Sequence, residues 1–237
     1  SISINRERKE GRHAPSSNQC STPQEEMKVH YKFTYFYIRG RGEPIRMLFN
    51  LAGVQFEDKR IQLEEWPKLK SHTPFGSLPV LEFDNQKLGQ SQAIMRYLAT
   101  RFGLSGRTPV EEAQVDAFAD CIVDFTNAIN EFHLVACGLL PGVKGELYER
   151  EFCPAKEKLF AIMEKQLKKN GTGWLVGNSI TSVDIQLACC LQSMIDESGK
   201  EKEEILKGFE EIGAHQRKVY SHPRIAPYIE SRPYSPF

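Results

Sequence analysis

Apolar and polar residues alternate from Lys28 to Phe36, with Val29, Tyr31, Phe33 and Tyr35 on one face and His30, Lys32 and Thr34 on the other. A period of two predicts a strand. Arg39-Gly40-Arg41-Gly42 reads as a turn. Pro44 suits the first turn of a helix, where its missing N–H costs nothing. Ile45, Leu48, Phe49 and Ala52 give that helix an apolar stripe, and Gly53 ends it. A more polar strand, Gln55 to Ile61, belongs near a sheet edge, and Glu64 to Ser71 reads as a short, weak helix or loop. Pro79 then opens an apolar strand, Val80 to Phe83. A hairpin turns on Asp84-Asn85, and Gln90-Ser91 starts a helix with Ile94, Leu98 and Phe102 on one face. The order is βαβ followed by ββα.

After the linker Leu104 to Pro109 the pattern becomes helical throughout. Val115, Phe118, Ile122, Phe125, Ile129 and Phe132 repeat every three or four residues and predict one long buried stripe. Glu146 to Asn170 predicts a second long helix, and Trp174 to Gly177 a buried turn. Thr181 and Asp184 have the spacing of a capping box, with Ile180 and Ile185 as its hydrophobic staple. Ile185 to Ile195 predicts a central helix and Glu201 to Ile212 a charged surface helix, before a tail broken by prolines.

Lys+Arg and Asp+Glu both number 31 in the 237 residues, so the formal net charge is zero. This balance points away from a nucleic-acid surface or a polybasic membrane patch. No apolar run approaches the length of a bilayer span. Residues 1–26 are polar, lack apolar periodicity and lack the apolar core of a secretory signal, so they read as a disordered extension, with Met27 as the ancestral start. The six cysteines form no C-x-x-C and no zinc-type spacing with histidine, so no metal is expected. Unpaired cysteines in apolar helical patterns suit a reducing compartment, most simply the cytosol.

The chemistry is concentrated between Thr73 and Leu98. A strand that begins on proline leaves backbone groups of the preceding residue, Leu78, open at an edge. A helix that begins on Ser91 points N–H groups outward, a ready anion site. Together they suit a short peptide with a carboxylate at one end. The βαβ-ββα order resembles thioredoxin, but Tyr37-Ile38-Arg39-Gly40 stands where thioredoxins carry C-x-x-C. Any thiol chemistry therefore needs a thiol that arrives with the ligand.

From Lys28 to Phe237 the chain resembles the cytosolic glutathione transferases. The matching stretches are TYF-x-x-RGRGEPIR at 34–46, W-x-x-x-K at 66–70, PFGSLPVLE at 74–82, GQSQAI-x-RYL at 89–98, and SVD within the capping box. A tyrosine at the end of the first strand followed by Arg-Gly-Arg resembles the sigma class, which includes prostaglandin D synthases. The resemblance implies a thioredoxin-like α/β domain over residues 27–104 and an all-α domain over 105–237. It also implies a homodimer that conjugates glutathione to small hydrophobic electrophiles. A glutathione-dependent prostaglandin D isomerase, and a non-catalytic carrier of haem or other hydrophobic ligands, stand as alternatives.

The resemblance also implies roles for residues. Tyr35 would hold the glutathione thiol as thiolate, and Arg41 would add positive potential. A free thiol has a pKa of about 8.5. Lowering it by about two units requires roughly 2.7 kcal/mol of preference for the anion, and one charge-assisted hydrogen bond supplies roughly 1.5–3 kcal/mol. Tyr31 and Tyr37 remain alternatives to Tyr35. Leu78 and a cis Pro79 would pair with the cysteinyl unit, Gln90 and Ser91 would hold the γ-glutamyl end, and Trp66 and Lys70 would meet the glycine carboxylate. Lys70 also reads as a solvated surface lysine. Asp116, Asp120 and Asp124 share a helical face, a solvated acidic stripe by itself; the resemblance implies that Asp124 reaches glutathione in a neighbouring subunit. Tyr37, Ile38 and Phe132 would line the electrophile pocket, which would lie between Tyr37–Ile38, the stretch near Phe132–Cys137 and the C-terminal tail.

Overall fold

The computed structural model describes residues 29–235. Residues 1–26, Lys28 at the start of the expected first strand, and the last two residues of the proline-broken tail lie outside them. Strand β1 (Tyr31–Phe36) buries Tyr31, Phe33 and Tyr35, the face set by the alternation. Helix α1 (Glu43–Ala52) follows a 3₁₀ turn at Gly40–Gly42, carries Pro44 in its first turn and ends on Gly53 at φ 69°. Strand β2 (Phe56–Ile61) is parallel to β1, and two 3₁₀ turns flank the short α2 (Trp66–Leu69). Strands β3 (Val80–Phe83) and β4 (Gln86–Gly89) form the hairpin. Its turn residues Asp84 and Asn85 have φ 45° and 62°, the left-handed pair that matches strand twist. The sheet order is β2-β1-β3-β4, with β1 and β3 antiparallel, so the polar β2 is an edge strand as its composition predicts. The Leu78–Pro79 peptide is cis.

Helix α3 (Ser91–Phe102) closes the α/β part, and α4 (Pro109–Ala128) opens the helical part with Thr108 as its N-cap. The stripe expected to run unbroken to Phe132 is interrupted at Ile129, whose backbone leaves the helical region, and resumes in α5 (Asn130–Ala136). The helix expected over Glu146 to Asn170 is α6 (Lys144–Leu147), a π turn at Tyr148–Phe152, and α7 (Cys153–Asn170). Pro154 explains the widening: it has no N–H to donate and its ring crowds the carbonyl one turn back. Helix α8 (Ser182–Ser198) is central, with most of its residues buried. The surface helix expected over Glu201 to Ile212 is instead α9 (Lys202–Ile205) and the start of α10 (Glu210–Tyr220), parted by Gly208 at φ 85°. A short α11 (Ala226–Ser231) precedes the proline-broken tail, which begins at Arg232; Pro227 sits in its first turn, where proline is tolerated.

Two apolar clusters hold the fold. One lies within the helices α4 to α10, around Phe125, Phe152, Phe160 and Leu187. The other joins the inner face of the sheet, α1 and α3 to Ile185, Ala188 and Cys189 of α8 and Val219 of α10. The α/β and helical parts therefore share a core. Asp184 is the polar fixture of α8: its carboxylate is fully buried and accepts from the N–H groups of Leu175 (2.9 Å) and Thr181 (2.7 Å) and the Thr181 hydroxyl (2.8 Å), and it pairs with His215 Nε2 (2.9 Å). The expected capping box is present, and its acid also ties down the Trp174–Gly177 turn and α10.

Candidate active site between the sheet and the helices

A cavity of about 570 Å³ opens between the β1 end of the sheet and helices α4, α5 and α8. Tyr35, the buried last tyrosine of β1, lines it. The turn at Arg39–Gly42 wraps the phenol closely. The Arg41 amide N–H donates to the Tyr35 hydroxyl oxygen at 3.3 Å. A Cβ on Gly42 would stand 2.5 Å from Tyr35 Cδ1, and one on Gly40, at φ 37°, would stand 3.0 Å from the hydroxyl. These glycines are there because any side chain would displace the ring. Burial raises the Tyr35 phenol above its usual pKa; the Arg41 amide bond and the charges of Arg41 and Arg46 offset part of that. The hydroxyl is thus kept protonated, able to donate to an anion while it accepts from the Arg41 amide.

Arg46 is a structural partner that sequence reasoning placed only as part of a matching stretch. It is fully buried beneath Phe33 and Tyr35, its guanidinium carbon 5.6 and 5.9 Å from their ring centres. It donates to the Ile38 carbonyl at 2.9 Å and to Asp58 at 3.1 Å, and pairs with buried Glu43 at 3.6 Å. It therefore fixes both the strand end and the turn that present the phenol.

The structure brings several of the candidates together. Tyr35, Tyr37, Ile38, Arg41, Gln90 and Ser91 all line the cavity. Gln90 stands at φ 71° and ψ 115°, a conformation that costs a non-glycine residue about 1–3 kcal/mol. It turns the chain from β4 into α3, so that Gln90 and Ser91 reach the cavity at the helix start. Val80 pairs with Thr34, which puts Leu78 and cis Pro79 beside the strand end that carries Tyr35. Trp66 stacks edge-on against Phe36 at 5.7 Å, and Lys70 runs along Gly76; neither lines the cavity, and neither do Leu78 and Pro79. Tyr31 lies at the opposite end of β1, packed against Phe49, Phe83 and Phe102. Asp124 is exposed on α4, outside the cavity lining, and Asp116 pairs loosely with Arg96 at 4.0 Å.

Phe132 is a correction. It was expected in the electrophile pocket, but it is fully buried in the helical core against Phe152 and Tyr148. The break at Ile129 turns α5 so that the next residue, His133, faces the cavity together with Cys137. His133 Nδ1 lies 3.0 Å from Glu197 Oε2 of α8, and Cys137 Sγ lies 3.8 Å from the same nitrogen. Hydrogen bonds to Cys137 and the Glu197 carboxylate push the imidazole pKa up to about 10. The Phe132–Cys137 stretch was expected at the pocket and two of its residues line it, whereas the C-terminal tail, also expected there, does not. Sequence reasoning missed only the grouping, because the His-x-x-x-Cys spacing shows a shared helix face but nothing along the chain ties it to Glu197.

Comparisons with known proteins agree with this fold. Residues 31–100 match the family model "Glutathione S-transferase, N-terminal domain" and residues 147–232 match "Glutathione S-transferase, C-terminal domain". The chain is 40% identical over 210 residues to "Glutathione S-transferase 1" of Ascaris suum, covering 87% of this chain and 98% of that one. Among solved structures it is similar to monomeric Na-GST-3, a glutathione S-transferase of the hookworm Necator americanus, with 46% identity and a TM-score of 0.83 over 88% of this chain and all of that one. It is also similar to prostaglandin synthase D of Nilaparvata lugens, with 34% identity and a TM-score of 0.76 over 86% of this chain and 99% of that one. With a four-stranded mixed sheet, a helical second half and these matches over most of its length, the chain belongs to the glutathione S-transferase family.

Proposed function

We propose that the protein conjugates glutathione to small apolar electrophiles, with the Tyr35 hydroxyl donating to the glutathione sulfur and stabilising it as thiolate. The observation that carries this reading is the buried, protonated Tyr35 hydroxyl at the floor of a largely apolar cavity, held by the Arg41 amide. Leu78 and Pro79 offer an edge for the cysteinyl backbone, as an added strand would use. Gln90 and Ser91, at the start of α3, take the γ-glutamyl carboxylate, with the helix dipole in favour. Trp66 and Lys70 meet the glycine end, and Arg41 adds positive potential near the sulfur. Tyr37 and Ile38 form one wall of the electrophile space, and α4, α5 and α8 form the other. The protein acts in the cytosol as a homodimer in which Asp124 reaches the partner's glutathione.

The test is Tyr35→Phe. Conjugation of a generic aromatic halide falls roughly ten- to a hundredfold, the range of one charge-assisted hydrogen bond, while glutathione affinity changes little. Full activity in that variant overturns the assignment of Tyr35. Likeness to a prostaglandin synthase supports a second, sigma-class reading, isomerisation of a prostaglandin endoperoxide in the same cavity. Assaying both substrates on one preparation separates the two.

A further inference from the structure

We propose that His133, Cys137 and Glu197 form a binding site for a divalent cation of the zinc type in the wall of the cavity, with an open coordination position facing the ligand space. This goes beyond the glutathione reading and does not depend on it. The three donor atoms, an imidazole nitrogen, a thiol sulfur and a carboxylate oxygen, lie within 4.8 Å of one another. Metal–sulfur bonds of about 2.3 Å and metal–nitrogen or metal–oxygen bonds of about 2.0–2.2 Å put tetrahedral ligands roughly 3.3–3.7 Å apart. The observed separations of 3.0 Å (His133 to Glu197) and 3.8 Å (His133 to Cys137) bracket that range. Small rotamer adjustments suffice to close the set around an ion.

The arrangement fits a cation better than a nucleophilic cysteine. In a Cys–His–acid relay the acid holds one ring nitrogen and the thiol meets the other. Here Glu197 and Cys137 both address Nδ1 of His133, so the ring cannot pass a proton between them. Three donors instead cluster around one ring nitrogen, all within 4.8 Å of one another. The local field agrees. Glu197 is buried in the last turn of α8, and His133 and Cys137 stand at the end of α5. A buried carboxylate at the negative end of a helix calls for a cation beside it; protonated His133 supplies one at 3.0 Å, and a bound dication would take over that role. A dication would displace the protons of the imidazole and the thiol, and one thiolate, one carboxylate and a neutral imidazole would then balance it in charge. All three residues line the cavity, so three protein ligands would leave the fourth tetrahedral position to water or to an oxygen or sulfur atom of a bound molecule.

The experiment uses the full chain, reduced and then freed of thiols and chelators, titrated with Co²⁺ by absorption and with Zn²⁺ by calorimetry. The expected result is one equivalent of Co²⁺ bound with a thiolate-to-cobalt charge-transfer band, displaced by Zn²⁺. Cys137→Ser loses the band and binds Zn²⁺ at least about tenfold more weakly, since even an outer-shell partner of a metal ligand is worth about 10–100-fold. His133→Gln shows the same weakening, and Glu197→Gln keeps the band but also binds more weakly. Tyr35→Phe binds both metals like the parent chain. Circular dichroism of each variant matches the parent. No charge-transfer band in the parent chain overturns the proposal. So does a band that survives in Cys137→Ser, or Zn²⁺ affinity unchanged in Glu197→Gln.

Discussion

In the proposed reaction Tyr35 works because its surroundings keep it neutral, and this has a consequence that can be read in pH. Burial raises its folded-state pKa above the unperturbed value of about 10. A buried phenol of this kind favours the folded state below its unfolded pKa, and that contribution is lost only as pH rises through the higher folded value. The profile of conjugation rate should therefore climb as the bound thiol ionises and show no fall due to Tyr35 below about pH 10. In Tyr35→Phe the rising limb should move up toward the free-thiol value of about 8.5. Stopped assays from neutral to alkaline pH on both proteins check this; a parent chain losing activity well below pH 10 would contradict it. Gly42 belongs to the same scale. Its φ of −83° would suit any residue, so space is what the phenol ring denies. Gly42→Ala should cost about 1–3 kcal/mol by overpacking and lower turnover as the hydroxyl is displaced, measured by urea unfolding and by kcat.

At the scale of elements, each part of the site is a strand or helix end positioned by a polar fixture. Arg46 braces the end of β1 from below. The twist at Gln90 delivers the start of α3. Asp184 anchors α8, which forms the far wall of the cavity, through four partners drawn from three segments. Asp184→Ala would leave the Leu175 and Thr181 amides and the His215 ring without their acceptor. Each orphaned buried group costs about 1–3 kcal/mol, so the variant should lose roughly 3 kcal/mol or more, seen in urea unfolding, and expression should fall with it. A loss under about 1 kcal/mol, the size of an ordinary N-cap, would mean that Asp184 caps and does nothing else.

For the whole molecule, the two halves are tied by the shared core and by ion pairs, of which the knot at Glu43 is the most buried. Glu43 at the start of α1 is buried, and takes Arg232 at 2.7 Å and the Tyr228 hydroxyl at 3.0 Å from the C-terminal segment. Arg232→Ala should loosen α11 from the sheet half, visible as faster amide exchange across Ala226–Ser231. Because Glu43 keeps Arg46 and Tyr228, the unfolding free energy should drop by less than about 3 kcal/mol, the lower end for breaking a buried pair. Assembly is a further prediction at this scale. Sedimentation across a range of concentrations should show a dimer, and Asp124→Asn should weaken glutathione binding without changing the thermal midpoint. A monomer with full activity would remove the role assigned to Asp124.

Much of this was legible along the chain because it rests on local rules. Alternation gave β1 its buried face, Gly53 its helix stop, and Asp84-Asn85 its hairpin, since those depend on a few adjacent residues. The run from Tyr35 through Arg46, with the Leu78–Ser91 segment, carried the family and therefore the expected cradle. The errors lie where distant groups decide. Phe132 shares its period with the core stripe and went into the core, while a one-residue change of backbone at Ile129 handed the cavity to His133 and Cys137. Pro154 widened a helix, because the effect of a proline depends on which carbonyl lies a turn behind it. Sequence alone thus determined most of the elements, their order and the family, and it singled out the tyrosine and the strand edge as candidates. Only the tertiary structure decided that Arg46 would lie under that tyrosine, that Glu197 would meet a histidine and a cysteine from another helix, and how much room the ligand has. Those depend on long-range packing, and periodicity within a segment carries no record of its neighbours in space.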